Sequence, residues 1–298
     1  MPNTESLNPC FTDIDSWPTQ DAVEAMLEGQ VVAIASIKSQ TALIAAAAED
    51  AATRLLAGGR LVYVGAGTSG RVAVQDGVEL GPTFGWPAER LVYIMAGGID
   101  ALVRSVEGAE DDAQDGQLQI AANSINRDDV VIGVAASGKT PFTIAAIISA
   151  GQAGALTIAI ANNPDTPLLA AAQHQLLAAT GSEAIAGSTR MKAGTAQKAV
   201  LNLLSTAIML RLGRVYRGLM VDMVVSNEKL LKRAYGIVSS LTNCSDAVAI
   251  EAVGAAKHDI KTAVLIALGQ SPDAAAALLN AHGGILRDAI EALEDTGA

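Results

Sequence analysis

The stretch that decides the fold is residues 60–70, which read Arg-Leu-Val-Tyr-Val-Gly-Ala-Gly-Thr-Ser-Gly. An apolar run of strand length leads directly into a glycine-rich turn. Three more apolar runs have the same character: residues 90–95, 129–134 and 156–160. Runs rich in Val and Ile without polar alternation are typical of strands buried on both faces, as in a parallel sheet. Because helical stretches separate them, we expect an α/β fold, a parallel sheet with helices on both faces.

The flanking segments are predicted to be helical. Residues 21–56 carry apolar side chains at helical spacing, and residues 191–235 resemble one or two long helices. Beyond Thr242 the chain changes to short, Ala-rich helical pieces that glycines interrupt. We therefore expect three parts: an N-terminal helical segment (1–56), the α/β domain (57–242) and a small all-helical C-terminal domain (243–298).

Composition excludes several classes of protein. Half of the 298 residues are hydrophobic, 3% are aromatic, and 31 acids against 20 bases give a formal net charge of −11. This balance disfavours nucleic-acid binding, which depends on basic and aromatic side chains. Two distant cysteines, Cys10 and Cys244, exclude a disulfide scaffold, and the three histidines lack metal-ligand spacing, so we expect no metal. The first ten residues have no signal-peptide pattern, and we expect a cytoplasmic protein.

One uncharged stretch, residues 140–164, is long enough to be mistaken for a membrane span. Ser149-Ala-Gly-Gln-Ala-Gly154 interrupts it, and prolines lie near both ends. A core helix, a glycine turn and a buried strand at 155–161 explain the stretch better, so we expect no membrane association.

The charges are unevenly distributed. Residues 1–50 hold eight acids against Lys38 alone, whereas residues 186–234 hold nine bases against two acids. Two interpretations stay open: the acidic segment packs near the basic one, within a subunit or across a dimer, or both are solvated faces that never meet.

The first glycine motif, Gly65–Gly70, has the G-x-G-x-x-G spacing of a dinucleotide-binding turn. The acid that would hold a ribose hydroxyl after the second strand is missing, because Met95 leads into Ala-Gly-Gly. The hydroxyls of Thr68 and Ser69, next to Gly67, instead suit a single phosphate at a helix N-terminus.

The second motif, Gly133-Val-Ala-Ala-Ser-Gly-Lys-Thr140, has the spacing of a nucleotide-binding P-loop. Residues 134–136 continue the strand pattern, Pro141 follows at once, and no later strand ends in an Asp that could organise Mg²⁺. We prefer a second phosphate loop formed by Ser137, Gly138 and Thr140. Two such loops at the carboxyl ends of adjacent parallel strands could converge on one ligand. A nucleotide triphosphatase and a purely structural pair of turns stay as alternatives.

Three acidic or basic segments are candidates for chemistry. Glu79 is a lone acid among apolar and turn residues, and we expect its burial to suit it to proton transfer. Glu110 belongs to the acidic cluster 107–112, which is either catalytic or a solvated helix end. In segment 187–195, Ser188 or Thr189 could cap the following helix, and Lys192 with Arg190 could bind an anion; both interpretations stay open.

Several motifs carry a family resemblance. Residues 65–71, 96–98, 106–112, 136–141 and 187–198, together with Glu79 before Pro-Thr-Phe-Gly85, Leu219-Met-Val-Asp222 and Asn227-Glu-Lys229, resemble those of the N-acetylmuramic acid 6-phosphate etherases. The likeness runs from about residue 5 to 235. It implies a sugar isomerase (phosphosugar-binding) domain similar to the glucokinase regulatory protein, no cofactor, and a homodimer.

The resemblance also implies an activity. Such a lyase cleaves the D-lactyl ether of N-acetylmuramic acid 6-phosphate, giving N-acetylglucosamine 6-phosphate and D-lactate in peptidoglycan recycling. Glu79 matches the family's acid/base glutamate and Glu110 its second active-site glutamate, the expected C2 base. The expected phosphosugar-binding residues are Gly67, Thr68, Ser69, Ser137, Gly138, Lys139, Thr140, Ser188 and Lys192. Lys139 replaces a usual Arg, and the residues flanking Glu79 also depart from the pattern. A non-catalytic phosphosugar-binding regulatory protein is the alternative.

Overall fold

A computed structural model describes residues 3–295, and its centre is a five-stranded parallel sheet. The strands are β1 (Leu61–Gly65), β2 (Leu91–Met95), β3 (Val130–Ala135), β4 (Leu156–Ala161) and β5 (His174–Leu177), in the order β2-β1-β3-β4-β5. The first four strands coincide with the four apolar runs, which confirms that these runs form strands. The sequence did not reveal β5, because it is a four-residue edge strand that begins with two polar residues.

The central strands are buried on both faces, which is why their sequences are continuously apolar. On one face α4 (Ala113–Ala122), α5 (Pro141–Gln152) and α6 (Pro167–Ala171) share a hydrophobic core with side chains of β1 to β4. On the other face α2 (Thr41–Leu56) packs against β3, β4 and β5 with a side rich in alanine. The expected α/β class with helices on both faces is confirmed.

The N-terminal helical region is broken once. The helix α1 (Thr19–Ser36) ends in a 3₁₀ turn, Ile37–Gln40, before α2 begins. The Gln40 side chain accepts a hydrogen bond from the backbone N–H of Leu177 at 3.0 Å, and His174 Nε2 lies 2.9 Å from a carboxylate oxygen of Asp50. These contacts fix the edge strand β5 to the helical region.

Two apolar segments are long enough to cross a membrane. Residues 140–164 form α5, a turn and β4, which confirms the expected core helix and buried strand. Thr19–Leu56 has the length and mean hydropathy (1.6) of a spanning helix, and 28% of that window is buried. Since α2, its second half, covers the sheet, this segment is part of the fold.

The described chain divides into two compact units, residues 3–78 with 88–208 and residues 79–87 with 209–295. The helices α3 (Gly67–Phe84) and α7 (Lys192–Arg211) are the elements that contain a division point. The three-part division expected from the sequence, with limits at 56 and 242, stays a prediction.

The second unit is built from a short hairpin and five helices. The hairpin is β6 (Val215–Tyr216) with β7 (Leu219–Met220); the helices are α8 (Glu228–Thr242), α9 (Asp246–Ala255), α10 (Ile260–Ala267), α11 (Pro272–Ala281) and α12 (Leu286–Asp295). Side chains of Asn227, Ser245, Asp259 and Ser271 cap the first four of these helices. The expected helical stretch 191–235 is thus two helices, α7 and α8, separated by a hairpin that the sequence analysis missed.

Candidate functional site

Two loops meet at the carboxyl ends of adjacent strands. The strands β1 and β3 pair in parallel with Gly65 opposite Val134, so the chain leaves both strands at the same edge of the sheet. The first loop leads into α3 and the second into α5. This edge is where open parallel sheets usually bind ligands, as the sequence analysis expected.

The first loop is tight because two glycines touch. A Cβ atom on Gly65 would lie 2.8 Å from the Cα of Gly70, so no larger residue fits where the strand turns into the helix. The helix α3 begins at Gly67, and Ser69 is buried in its first turn. First-turn N–H groups have no acceptor within their own helix, which leaves them available to an anion.

The second loop is shaped by Gly138 and Ser137. Gly138 has φ +64°, and a Cβ atom there would lie 2.3 Å from the hydroxyl of Thr166. The Ser137 hydroxyl accepts a hydrogen bond from the N–H of Lys139 at 3.1 Å. Thr140 is the N-cap of α5, with Pro141 in the first helical turn. The strand β3 runs through Ala135, so this stretch is a strand end and helix start, as expected, and not a wrapping P-loop.

A cavity of about 490 Å³ lies between the two loops. Its lining includes seven of the predicted site residues: Gly67, Thr68, Ser69, Glu110, Ser137, Lys139 and Thr140. Two helix N-termini, several hydroxyls and one lysine therefore border one space. An anion the size of a phosphate group suits such a setting even in an acidic protein, because the positive ends of the helices and the N–H groups act locally.

Glu110 borders a second space as well. It lies in a 3₁₀ turn, Ala109–Asp111, that precedes α4. A neighbouring cavity of about 350 Å³ shares Ala66, Gly67 and Glu110 with the first one, and Arg71 and Glu107 also line it. The Glu110 side chain is exposed and lies in the wall common to both spaces.

One further wall of the first cavity joins Glu5, which the sequence did not indicate, to the predicted segment 187–195. Glu5, Gly187 and Thr189 line it together with the two loops. The Gly187 N–H donates to the backbone oxygen of Thr4 at 3.1 Å, which joins the N-terminal segment to the segment before α7. Thr4 and Glu5 lie more than 180 positions from Gly187. The sequence therefore indicated a site only through the motif around Gly187.

The start of α7 is held by a buried acid. The Glu183 carboxylate, with 0% exposure, accepts hydrogen bonds from the N–H groups of Lys192 (3.0 Å) and Ala193 (2.9 Å). This acid makes the capping contact that the sequence analysis considered for Ser188 or Thr189. The Lys192 ammonium donates to the backbone oxygen of Ser182 at 2.9 Å, and its side chain packs near Gly29 of α1. The acidic N-terminal region and the basic segment therefore do meet.

Four predicted site residues lie outside the lining of the first cavity. Gly138 packs against Thr166, Ser188 precedes Thr189, and Lys192 lines a different cavity beside α1. Glu79 lies on α3 in the segment grouped with the second unit, and its side chain is exposed. The expected burial of Glu79 is therefore wrong for this chain. The roles in binding or catalysis of these four, and of the seven residues that line the cavity, stay predictions.

A buried polar network is centred on Asp76 of α3. The Asp76 carboxylate accepts hydrogen bonds from Tyr63 (3.0 Å), Asn202 (2.5 Å) and Ser205 (3.2 Å). Burial raises the pKa of Asp76, and the hydrogen bonds offset this only in part. Burial and the nearby Asp76 charge raise the pKa of Tyr93 to about 12. The network ties α3 to α7 within the first unit.

Among residues 3–295 there is no group of three His, Cys, Asp or Glu side chains placed to hold a metal ion. Where a P-loop protein would place a magnesium-binding acid, β4 is followed by Asn162 and Asn163, whose amides donate to the backbone oxygens of Ala178 and Ala136.

Two matches to protein-family models identify the class of protein to which this chain belongs. The chain matches the SIS domain over residues 105–207 and the glucokinase regulatory protein N-terminal SIS domain over residues 43–151. A solved protein of Escherichia coli CFT073 has a similar fold, with a TM-score of 0.50 and 18% identity over 70% of this chain and 97% of that one. Fold and matches define a SIS-domain protein.

Relatives that align over nearly the whole chain identify the family within this class. An N-acetylmuramic acid 6-phosphate etherase of Deinococcus radiodurans is 45% identical over 96% of this chain and 94% of its own. One of Erwinia tasmaniensis is 44% identical over 97% of this chain and 94% of its own. The chain belongs to the N-acetylmuramic acid 6-phosphate etherase family, which confirms the resemblance found in the sequence.

Proposed function

We propose that this protein is a carbon–oxygen lyase that cleaves the D-lactyl ether of N-acetylmuramic acid 6-phosphate. With one water molecule, the substrate gives N-acetylglucosamine 6-phosphate and D-lactate, a step in the recycling of cell-wall amino sugars. The observation that carries this proposal is the cavity in which two helix N-termini and a carboxylate, Glu110, face one space. Membership of the etherase family supports the same activity.

The two loops bind the phosphate of the substrate. The hydroxyls of Ser69, Ser137 and Thr140, with the first-turn N–H groups of α3 and α5, supply hydrogen-bond donors. Lys139 supplies the positive charge in the lining. The sugar then extends towards Glu110 and the neighbouring cavity.

The reaction is an elimination followed by a hydration. A base removes the C2 proton of the ring-opened sugar, the C3–O bond breaks, and the lactyl oxygen leaves with a proton from an acid. Water then adds to C3 of the unsaturated aldehyde, and C2 regains a proton. No electrons are exchanged with an external group, so two carboxyl groups with different protonation states suffice.

We assign the C2 base to Glu110 and the acid to Glu79. Glu110 lies in the wall that the two cavities share, where the sugar adjoining a bound phosphate would lie. Glu79 is assigned by its match to the family motif. Replacement of either residue by glutamine removes a proton-transfer group with little change of shape.

A homodimer is part of the proposal. The α1 side chains Val23, Leu27, Val31 and Ile34 recur at helical spacing and are 53%, 62%, 63% and 45% exposed. Such an apolar stripe is typical of a contact surface. Light scattering after size exclusion should give twice the chain mass, and Leu27→Glu should shift the protein towards the monomer. A Leu27→Glu variant that stays a dimer would place the interface elsewhere.

We also place the protein in the cytoplasm, where a phosphorylated amino sugar is metabolised. Fractionation of producing cells with an antibody against the chain tests this; recovery with the membrane fraction would contradict it.

The experiment that tests the function is incubation with N-acetylmuramic acid 6-phosphate and an enzymatic assay for D-lactate. Wild type should release lactate, whereas Glu79→Gln and Glu110→Gln should release none and still bind N-acetylglucosamine 6-phosphate. A variant with near wild-type turnover would remove that carboxylate from the mechanism. Binding of the sugar phosphate without any lactate release by wild type would favour the regulatory alternative, which the match to the glucokinase regulatory protein domain motivates.

A further inference from the structure

The N-terminal turn, Asn3–Glu5, is anchored in the first unit through Thr4. Thr4 is 0% exposed although it lies almost at the start of the described chain. Its N–H donates to Asn163 Oδ1 at 3.4 Å, its hydroxyl accepts from Asn163 Nδ2 at 3.0 Å, and its backbone oxygen accepts from Gly187. A buried residue with this many partners is held in one place.

Asn163 connects this turn to the phosphate loop. The Asn163 Nδ2 atom also donates to the backbone oxygen of Ala136 at 2.8 Å, and Ala136 lines the cavity. One side chain, itself 4% exposed, thus bridges the N-terminal turn and the loop after β3. The position of the turn is therefore coupled to the loop that receives the phosphate.

The anchored turn brings a carboxylate to the cavity. Glu5 follows Thr4 directly and lines the same space as the two loops. The lining also contains Glu110 and Asp111, against a single lysine, Lys139. These carboxylates would repel a negatively charged group. This part of the cavity therefore suits the uncharged, hydroxyl-bearing part of a ligand.

We propose that Glu5 determines specificity by accepting a hydrogen bond from a hydroxyl or amide N–H group of the bound sugar, and that Thr4 and Asn163 position it. The inference rests on the proposed function, because it takes the cavity to hold a phosphosugar. A carboxylate only accepts hydrogen bonds, so it favours a ligand whose hydroxyl or amide donors reach it over inorganic phosphate, whose negative charge it repels. Hydrogen bonds to charged groups are among the stronger ones, so the weaker bond to the neutral oxygen of a glutamine at this position should reduce the affinity for the sugar phosphate about tenfold.

The first experiment compares two ligands by calorimetric titration of the full chain. N-acetylglucosamine 6-phosphate carries the sugar donors, and inorganic phosphate lacks them. Glu5→Gln should weaken binding of the sugar phosphate about tenfold and leave phosphate binding unchanged or slightly tighter, because a repelling charge is removed. The matched control is Asp13→Asn, which removes the same charge from an exposed residue of the N-terminal region outside the cavity lining.

A second pair of variants tests the positioning. Thr4→Val keeps the shape but removes the oxygen that Asn163 contacts, so it should reduce sugar phosphate binding while phosphate binding persists. Thr4→Ser retains the hydroxyl and should restore binding towards the wild-type value. Thermal unfolding of each variant identifies any protein that has not folded.

The possible outcomes separate the inference from the function. An equal loss for both ligands in Glu5→Gln, or no loss for either, would overturn the assignment of specificity to Glu5. If wild type binds neither ligand, the proposed cavity and the inference both fail. If wild type binds the sugar phosphate selectively through Glu5 but releases no lactate, the etherase function fails and the inference stands.

Discussion

The buried carboxylate of Glu183 should be the main support of the segment that completes the first cavity. It accepts hydrogen bonds from two first-turn N–H groups of α7, at 3.0 and 2.9 Å, and has no exposed surface. Gly187 and Thr189, which line the cavity, lie between Glu183 and the helix that it caps. Removal of the carboxylate should therefore affect both stability and binding.

The cost of Glu183→Ala can be worked from these contacts. A hydrogen bond to a charged group contributes about 1.5–3 kcal/mol, and the variant leaves one buried and one partly buried N–H group without their acceptor. Loss of a negative charge at a helix N-terminus adds about 1 kcal/mol. We expect a loss of about 4 kcal/mol, which lowers the melting temperature by roughly 10 °C for a unit of this size. Glu183→Gln retains one acceptor oxygen and should lose about half as much.

Calorimetric melting with inorganic phosphate titrations on the same samples measures both effects. The control is Glu89→Ala, at an exposed acid of the 3₁₀ turn Ala88–Arg90; it should stay within about 0.5 kcal/mol of wild type. Phosphate affinity should fall several-fold in Glu183→Ala and stay unchanged in the control. A Glu183→Ala protein within about 1 kcal/mol of wild type would contradict this expectation, because the buried N–H of Ala193 and the partly buried N–H of Lys192 would then have lost a charged acceptor at almost no cost.

Two further predictions concern the sheet and its loop. Burial acts to raise the pKa of Asp129, but hydrogen bonds from Arg60 and the backbone outweigh it and lower the pKa, so the ionised acid stabilises the fold above its unfolded pKa. Asp129→Asn should cost about 3 kcal/mol near neutrality and progressively less below about pH 4, measured by urea unfolding; a constant difference would contradict this. Gly138→Ala combines a positive φ with a steric overlap, so phosphate affinity should fall about tenfold in calorimetry. The control Gly181→Ala is at φ +69° with open space around the added Cβ, and it should bind phosphate with wild-type affinity. Equal losses of phosphate affinity in the two variants would attribute the effect to backbone strain alone.

Much of the fold could be predicted because the central strands are buried on both faces. The runs leading to Gly65 and Ala135 were recognisable as strands, and parallel pairing then placed their loops together. The edge strand β5 lacks this signal, because half of its residues are polar and it depends on contacts with Gln40 and Asp50. The hairpin after α7 is too short to show a period.

The site was predictable only where local motifs carried it. Thr68, Ser137 and their neighbours indicate a helix start with hydroxyls, and the structure places them around one cavity. Glu5 was missed because Thr4 and Asn163, which anchor its turn, lie 159 residues apart. Glu183 was missed because it caps α7 from nine residues before the helix, not from the N-cap position. Local sequence does not encode such distant contacts.

The central claim is that a base removes the proton at C2 of the sugar and that lactate then leaves by elimination. Reaction of N-acetylmuramic acid 6-phosphate in D₂O, followed by mass spectrometry and proton NMR of the sugar product, tests this most directly. Elimination should give one deuterium at C2 of N-acetylglucosamine 6-phosphate for each D-lactate released. Release of D-lactate with ordinary hydrogen retained at C2 would contradict it.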